Sequence, residues 1–172
     1  NGTVAATSAA RIRLAKHSGM KIMELLEKNL RPRDIMSPKA LENALAVDMA
    51  LGCSSNSVLH LLAIAHELEI PLDLEKINEI SDRIPNLCRL SPAGGNHLQD
   101  LARAGGVPAV MKELTSKNMI DTSLMTVTGQ TVAENIASAR NNDTTVIRSV
   151  ENPYSASGGI AILFGNIAEE GA

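Results

Sequence analysis

The stretch of residues 52–68, GCSSNSVLHLLAIAHEL, most constrains the fold of this chain. A short loop of small polar residues leads directly into a helical pattern. The apolar positions of that pattern are Val58, Leu59, Leu62, Ala63, Ala65 and Leu68. Because they cover nearly every side of the helix, we expect the helix to be buried, with other elements packed around it.

The loop places hydrogen-bonding groups where a helix leaves its first N–H groups unpaired. Ser55 or Asn56 is predicted to cap the helix, and an ordinary N-cap is the simplest interpretation. The alternative is a cradle for a phosphate, a carboxylate or an oxyanion, since a helix N-terminus carries a partial positive charge. The candidate binding residues of this loop are Gly52, Ser54, Ser55 and Asn56.

The core has to be aliphatic, because Tyr154 and Phe164 are the only aromatic residues among 172. Leu, Ile, Val, Ala and Met favour helices. The net charge of −3 and the lack of stacking platforms argue against a nucleic-acid partner. No apolar run reaches the roughly 20 residues of a membrane span. No signal-peptide pattern is present either, so we expect no membrane partner.

Two cysteines, Cys53 and Cys88, are too few for a disulfide scaffold and lack zinc-site spacing. They predict reduced thiols and a cytoplasmic protein, with Cys88 buried and inert. The chain opens at Asn1 without Met and stops at Ala172 after an apolar run. We therefore expect a piece of a longer polypeptide.

Helical periodicity and capping residues define most of the remaining elements. Apolar residues recur every three or four positions from Ile12 to Leu30, with Ser18-Gly19 as a candidate kink. Asp48 lies near the end of the helix predicted at residues 38–51 and is expected to be a surface or helix-end carboxylate. The alternative is that it faces the loop that begins at Gly52. Further helices are predicted at residues 38–51, 74–83, 96–104, 108–118 and 131–140, the last with a Thr131–Glu134 capping box.

Short strands are predicted at residues 87–90, 124–127, 145–149 and 160–164. The expected fold is a helix-dominated α/β fold with a small sheet of few short strands, as part of a larger multi-layer α/β domain. No catalytic triad, carboxylate pair, Walker loop or metal-ligand spacing is recognisable. The available polar groups lie in loops: Ser54, Ser55, Asn56, Asn96, Thr126, Thr128 and Thr131. These groups can bind an oxygen-rich ligand, but expelling a hydroxyl needs a base and usually a Lewis acid.

Residues 52–67 resemble the G-G-S-T-N and V-L-H-L-x-A-I-A-H-E signature of the dihydroxy-acid/6-phosphogluconate dehydratase family. Other segments resemble the family as well, and the resemblance covers essentially the whole chain. They are residues 1–3 (NGT), 31–36 (RPRDIM), 43–51, 104–111 (AGGVPAVM), 126–131 (TVTGQT), 152–155 (NPYS) and 158–166. The dihydroxy-acid branch of the family fits best.

This resemblance implies that the parent enzyme removes water from a small 2,3-dihydroxy carboxylate, giving an enol and then a 2-oxo acid. The reaction belongs to valine and isoleucine biosynthesis. The implied cofactors are an iron–sulfur cluster and Mg²⁺, with a serine as base, in a homodimer. Residues 1–172 would form the central to C-terminal part of the N-terminal α/β domain.

The family's cluster cysteines, metal ligands and serine base have no counterpart in this chain. The resemblance therefore implies no catalytic or metal-binding residue here, no bound cofactor and no activity for the chain alone. Gly52, Ser54, Ser55 and Asn56 would form a loop close to the substrate.

Two departures from the family pattern stand out. Cys53 replaces the second glycine of the signature, which would strain the loop if that position needs a positive φ. Residues 91–97, SPAGGNH, differ from the family's P-S-G-x-Y pattern and so bear on substrate choice. The alternatives are a dehydratase for 6-phosphogluconate or an aldonate, and a non-catalytic anion-binding or oligomerisation module.

Overall fold

Helices provide the regular structure of residues 2–171, the part of the chain that the computed structural model describes. In chain order, α1 to α8 span Ala9–Glu27, Pro32–Ile35, Pro38–Leu51, Ser55–Glu67, Leu74–Arg83, Leu98–Ala104, Gly106–Thr115 and Val132–Ile136. The helix-dominated prediction is confirmed, and α3 and α5 have the predicted bounds. Asn1 and Ala172, which belong to the predicted first and last segments, lie outside the described residues.

The predicted small sheet is not seen within residues 2–171, where extended segments meet only at isolated bridges. These bridges join Asn86 with Ser155, Leu90 with Asn96, Met125 with Thr131, and Gly165 with Ala168. Residues 160–164 bond to a helix instead of a strand. The Asn78 side chain donates to the Ile162 carbonyl and accepts from the Ile162 N–H, both at 2.8 Å. Residues 145–149 turn, because the Val146 and Ile147 N–H groups both donate to the Asp143 carbonyl.

Helix α3 forms the centre of the core and packs against α4, α5 and α7. Ser37 Oγ accepts the Ala40 N–H at 3.2 Å, and Pro38 occupies the first helical position. Leu45 and Met49 of this helix are fully buried. Burying one such side chain contributes about 1.5–3 kcal/mol. Their partners include Ile77, Ile80, Val110 and Leu114, all fully buried.

Two helices are more exposed than their sequences predict. Helix α4 buries only Val58 and Ala65 among the described residues, and Leu59 is 65% exposed. Helix α1 continues through the candidate kink, with the Ser18 hydroxyl donating to the Leu14 carbonyl at 3.0 Å. It buries only Leu25. The expectation of a buried α4 is therefore wrong for this chain, because the described elements cover one side of it.

The apolar run of α4 does not make it a membrane helix. No helix within residues 2–171 is both long and apolar enough to cross a membrane.

The shorter helices differ from their predicted bounds at the ends. Helix α6 begins after His97, not Asn96, and the His97 N–H donates to Asp100 Oδ2 at 2.8 Å. Helix α7 starts at Gly106, and α8 has only five residues. The capping box of α8 is confirmed, because the Thr131 N–H donates to Glu134 Oε2 at 2.7 Å.

A late segment of the chain passes close to the C-terminal end of α3. The Gly159 N–H donates to the Met49 carbonyl at 3.0 Å. Gly52 has a φ of 65°, which glycine adopts without strain. A Cβ added to Gly159 would lie 2.4 Å from the Gly52 Cα. The two backbones can therefore approach this closely only with glycine at position 159.

Replacing Gly159 with Ala tests this approach. We expect Gly159→Ala to lower the free energy of unfolding by about 2 kcal/mol, because the added methyl overpacks a fixed backbone contact. Urea denaturation measures the change. Gly95→Ala is the matched control, since a Cβ there meets nothing within 4 Å. Equal effects of the two substitutions would contradict the proposed constraint.

Candidate functional site

Residues 52–54 connect α3 to α4, and we use the name 52–57 loop for this connection together with the first turn of α4. The loop is anchored at its start by one carbonyl group. The Asp48 carbonyl accepts the Gly52 N–H at 3.0 Å and the Cys53 N–H at 3.3 Å. The only non-glycine residues with positive φ within residues 2–171 are Asn29, Glu69 and Asn118. Cys53 is therefore unstrained, and the left-handed turn belongs to Gly52.

Ser54 caps α4, one residue earlier than predicted. Its Oγ accepts from the Asn56 backbone N–H at 3.3 Å and from Asn56 Nδ2 at 2.8 Å. Ser55 is exposed and starts the helix. The Ser54 hydroxyl thus uses its acceptor capacity on Asn56. Its own proton has no acceptor within residues 2–171 and can be donated to a ligand.

Asp48 faces this loop and is buried, with 7% of its surface exposed. The expected position at a helix end is confirmed and a surface position is wrong, because the alternative holds and the carboxylate faces the loop. The Ser57 hydroxyl donates to Asp48 Oδ2 at 2.8 Å. Burial raises the pKa of Asp48, and hydrogen bonds from Ser57 and Cys53 oppose that rise. A sequence signal for this burial exists, because Asp48 lies three residues from both Leu45 and Leu51, on the buried face of α3.

Both thiols stay protonated near neutral pH. Partial burial and the adjacent Asp48 carboxylate raise the pKa of the Cys53 thiol to about 12, although much of the residue is exposed. Cys88 is buried as predicted, and burial raises its pKa to about 12. Neither residue is a ready thiolate ligand or nucleophile.

The loop borders a cleft of about 770 Å³. One wall carries Gly52, Cys53 and Ser54, and the other is formed by residues 90–93 and by His97 and Leu98. The family signature and the segment that departs from the family pattern therefore face the same space. The lining is mainly apolar, with hydroxyl and imidazole groups at Ser54, Ser91 and His97. His97 was not among the candidate residues, and the only sequence signal for it was its place in the divergent segment.

Other predicted loop groups are engaged elsewhere. Asn135 Nδ2 donates to Thr126 Oγ1 and Thr128 Oγ1, both at 2.8 Å. Ser55, Asn56 and these threonines do not line the cleft at Gly52. Of the four candidate residues, Gly52 and Ser54 border it directly, while Asn56 orients the Ser54 hydroxyl.

The described residues do not fit an iron–sulfur cluster or a metal ion. Within residues 2–171 no three His, Cys, Asp or Glu side chains are grouped to hold a metal. Iron–sulfur clusters are held mainly by cysteine thiolates. The chain has two cysteines, and the raised pKa values of Cys53 and Cys88 disfavour the thiolate form.

A second cleft of about 790 Å³ lies between α2 and α4. Its floor consists of Met36, Ala63, Ile64 and Leu68, with Arg31 and Arg33 at the rim. It is slightly larger than the cleft at Gly52, but it lacks hydroxyl donors and is mainly apolar. Such a surface is typical of a contact with another protein segment.

In this helix-dominated fold, the loop capped by Ser54 thus presents a hydroxyl donor to a cleft. Residues 1–135 match the family model described as dihydroxy-acid/6-phosphogluconate dehydratase N-terminal. The chain belongs to this dehydratase family, as its sequence motifs predicted.

Curated relatives match the whole chain. It is 63% identical over 172 residues to the dihydroxy-acid dehydratase of Acetivibrio thermocellus. It is 60% identical to the dihydroxy-acid dehydratases of Ruminiclostridium cellulolyticum and Nitratidesulfovibrio vulgaris. The matches cover 100% of this chain and 31% of each of these relatives. The chain thus spans about a third of the length of the curated relatives it matches.

Proposed function

We propose that this chain is part of a dihydroxy-acid dehydratase. The full-length enzyme converts 2,3-dihydroxy carboxylates into 2-oxo acids in valine and isoleucine biosynthesis. The observation that carries this proposal is the 63% identity to a dihydroxy-acid dehydratase along the whole chain. The cleft supports it, because Leu90 and Leu98 provide an aliphatic wall opposite the hydroxyl of Ser54.

The residue 52–57 loop contributes substrate contacts in this proposal. Ser54 donates a hydrogen bond to a substrate oxygen, since its own proton is not used within the described chain. Asn56 holds the Ser54 oxygen through two hydrogen bonds. Gly52 forms the left-handed turn at the end of α3, and Ser55 is the first residue of α4. None of these groups is a base, so we assign no catalytic residue to the chain and expect no activity from it alone.

The proposal places residues 1–172 in the central to C-terminal part of the N-terminal domain. The iron–sulfur cluster and Mg²⁺ implied by the resemblance would be held by other parts of the full-length protein, because the residues described here do not fit them. A cytoplasmic location is part of the same proposal. The free thiols of Cys53 and Cys88 favour it, because disulfides are rare in that compartment.

We further propose that an apolar surface on α1, α2 and α4 is covered in a full-length homodimer. We define this apolar surface by Ile22, Met23, Leu26, Met36 and Ile64. The cleft at the end of α1 and the cleft between α2 and α4 share Arg31 and Pro32, which makes the surface continuous. Leu26 is 73% exposed and has apolar neighbours. A contiguous exposed apolar surface of this kind is typical of a protein–protein contact.

Substrate preference tests the proposed activity. We expect the full-length enzyme to dehydrate 2,3-dihydroxy-3-methylbutanoate in preference to 6-phosphogluconate or an aldonate, with the 2-oxo acid product measured directly. Ser54→Ala should lower kcat/KM about 10-fold through the lost hydrogen bond. Ser55→Ala is the control, because Ser55 does not border the cleft. Preference for the phosphorylated sugar acid would overturn the proposed substrate class.

The apolar surface is tested by adding a charge to it. Leu26→Glu should lower the thermal midpoint of the full-length protein by several degrees and weaken its dimer in sedimentation, because the charge becomes buried there. The isolated 172-residue chain should keep its midpoint. Arg13→Glu, a charge change at another exposed position of α1, is the control. A full-length protein that tolerates both substitutions equally would contradict the proposal.

A further inference from the structure

Asp48 contacts the 52–57 loop with both its backbone and its side chain. Its carbonyl accepts two N–H groups at the start of the loop, from Gly52 and Cys53. Its carboxylate accepts the Ser57 hydroxyl, at the third position of α4. We propose that Asp48 is the positioning residue of this loop, holding it so that the Ser54 hydroxyl faces the cleft. Only the meaning of the cleft as a substrate site rests on the proposed function.

The Ser57 hydroxyl has two possible acceptors in this part of the structure. Ser57 Oγ lies 2.8 Å from Asp48 Oδ2 and 2.6 Å from the Ser54 carbonyl oxygen. A hydroxyl has a single proton, and a charged carboxylate attracts it more strongly than a carbonyl does. Asp48 therefore fixes the Ser57 side chain and ties the first turn of α4 to the last turn of α3.

This arrangement assigns different tasks to the two hydroxyl groups. The Ser57 hydroxyl donates its hydrogen bond to Asp48, so it has no proton left to donate to a ligand. Ser54 accepts twice from Asn56 and keeps its proton for the cleft. Removing the Asp48 carboxylate would release Ser57 and loosen the start of α4. The Ser54 hydroxyl would then lose its fixed direction.

No cation compensates the charge of Asp48. It forms no ion pair with Lys, Arg or His within residues 2–171. The groups that face it are the hydroxyl of Ser57 from α4 and the thiol of Cys53 from the loop. Cys88, from the neighbouring segment, acts on Cys53. The positive end of α4 is the remaining stabilising partner. Burial raises the pKa of Asp48, which means that the loss of solvent disfavours its charged form.

Amide hydrogen exchange and NMR shifts of the full-length protein test the positioning role directly. In Asp48→Ala, the amides of Ser57 and Val58 should exchange about 10-fold faster, because a hydrogen bond to a charged group is lost. Asp48→Asn keeps an oxygen acceptor for Ser57 and should retain most of the protection. Asp143→Ala is the matched control, since Asp143 accepts the Thr145 hydroxyl at 2.6 Å outside this loop.

The pH dependence tests whether the conformation of the loop follows the charge of the Asp48 carboxylate. In the wild-type chain, the amide shifts of residues 52–57 should titrate with one midpoint above about 3.9, the ordinary aspartate value. They should not titrate in Asp48→Asn. Because the folded pKa is raised, Asp48 contributes less stability as the pH rises through that pKa. The stability of Asp48→Asn relative to wild type should therefore increase from about pH 4 until the pH passes the folded pKa of Asp48.

The outcomes distinguish this inference from the proposed function. The positioning role is overturned if Asp48→Ala, like the control Asp143→Ala, does not change the amide exchange rates of residues 52–57. A titration that persists in Asp48→Asn overturns it as well. Neither result depends on the substrate. A loop that loosens in Asp48→Ala while Ser54→Ala has no effect on turnover would support positioning and contradict the proposed substrate contact.

Discussion

The close approach of two glycine backbones at the end of α3 determines the placement of everything around the site. Gly52 turns the chain out of α3 with a positive φ, and Gly159 passes it with no room for a side chain between them. Asn86 fills the remaining space, with its Nδ2 3.4 Å from the carbonyls of Met49 and Ala50. Helical spacing puts Asp48 on the same buried face as Leu45 and Leu51, next to this turn, and the loop that follows borders the cleft.

The electrostatics of the site suit recognition better than proton transfer. Asp48 is engaged with the loop, and the thiols of Cys53 and Cys88 stay protonated. The polar groups that line the cleft are the hydroxyls of Ser54 and Ser91 and the imidazole of His97, beside an aliphatic wall. The proposed substrate, a small hydroxy acid with a branched side chain, matches both features. The proposed division of work follows, with this chain orienting the substrate and the rest of the enzyme supplying the reactive groups.

Local chemistry explains which elements the sequence could predict. Ser37-Pro38 and Asp73 set the starts of α3 and α5, and Gly52 ends α3, so these bounds follow from neighbouring residues alone. The prediction of a strand at residues 160–164 was wrong, because the backbone of Ile162 bonds to the Asn78 side chain, 84 positions away in sequence. The burial of α4 was overestimated because an apolar pattern does not reveal where its partner lies. The motif residues at Gly52 and Ser54 were recognisable, but the role of Asp48 depends on contacts across the turn.

A structure of the full-length protein with bound 2,3-dihydroxy-3-methylbutanoate tests the central claim most directly. The account predicts ligand density in the cleft beside α4. A substrate oxygen should lie about 2.7–3.0 Å from Ser54 Oγ, as expected for an O–H···O bond. The branched methyl groups should rest against Leu90 and Leu98. Substrate bound outside this cleft, with the Ser54 hydroxyl donating to protein or water, would contradict the account.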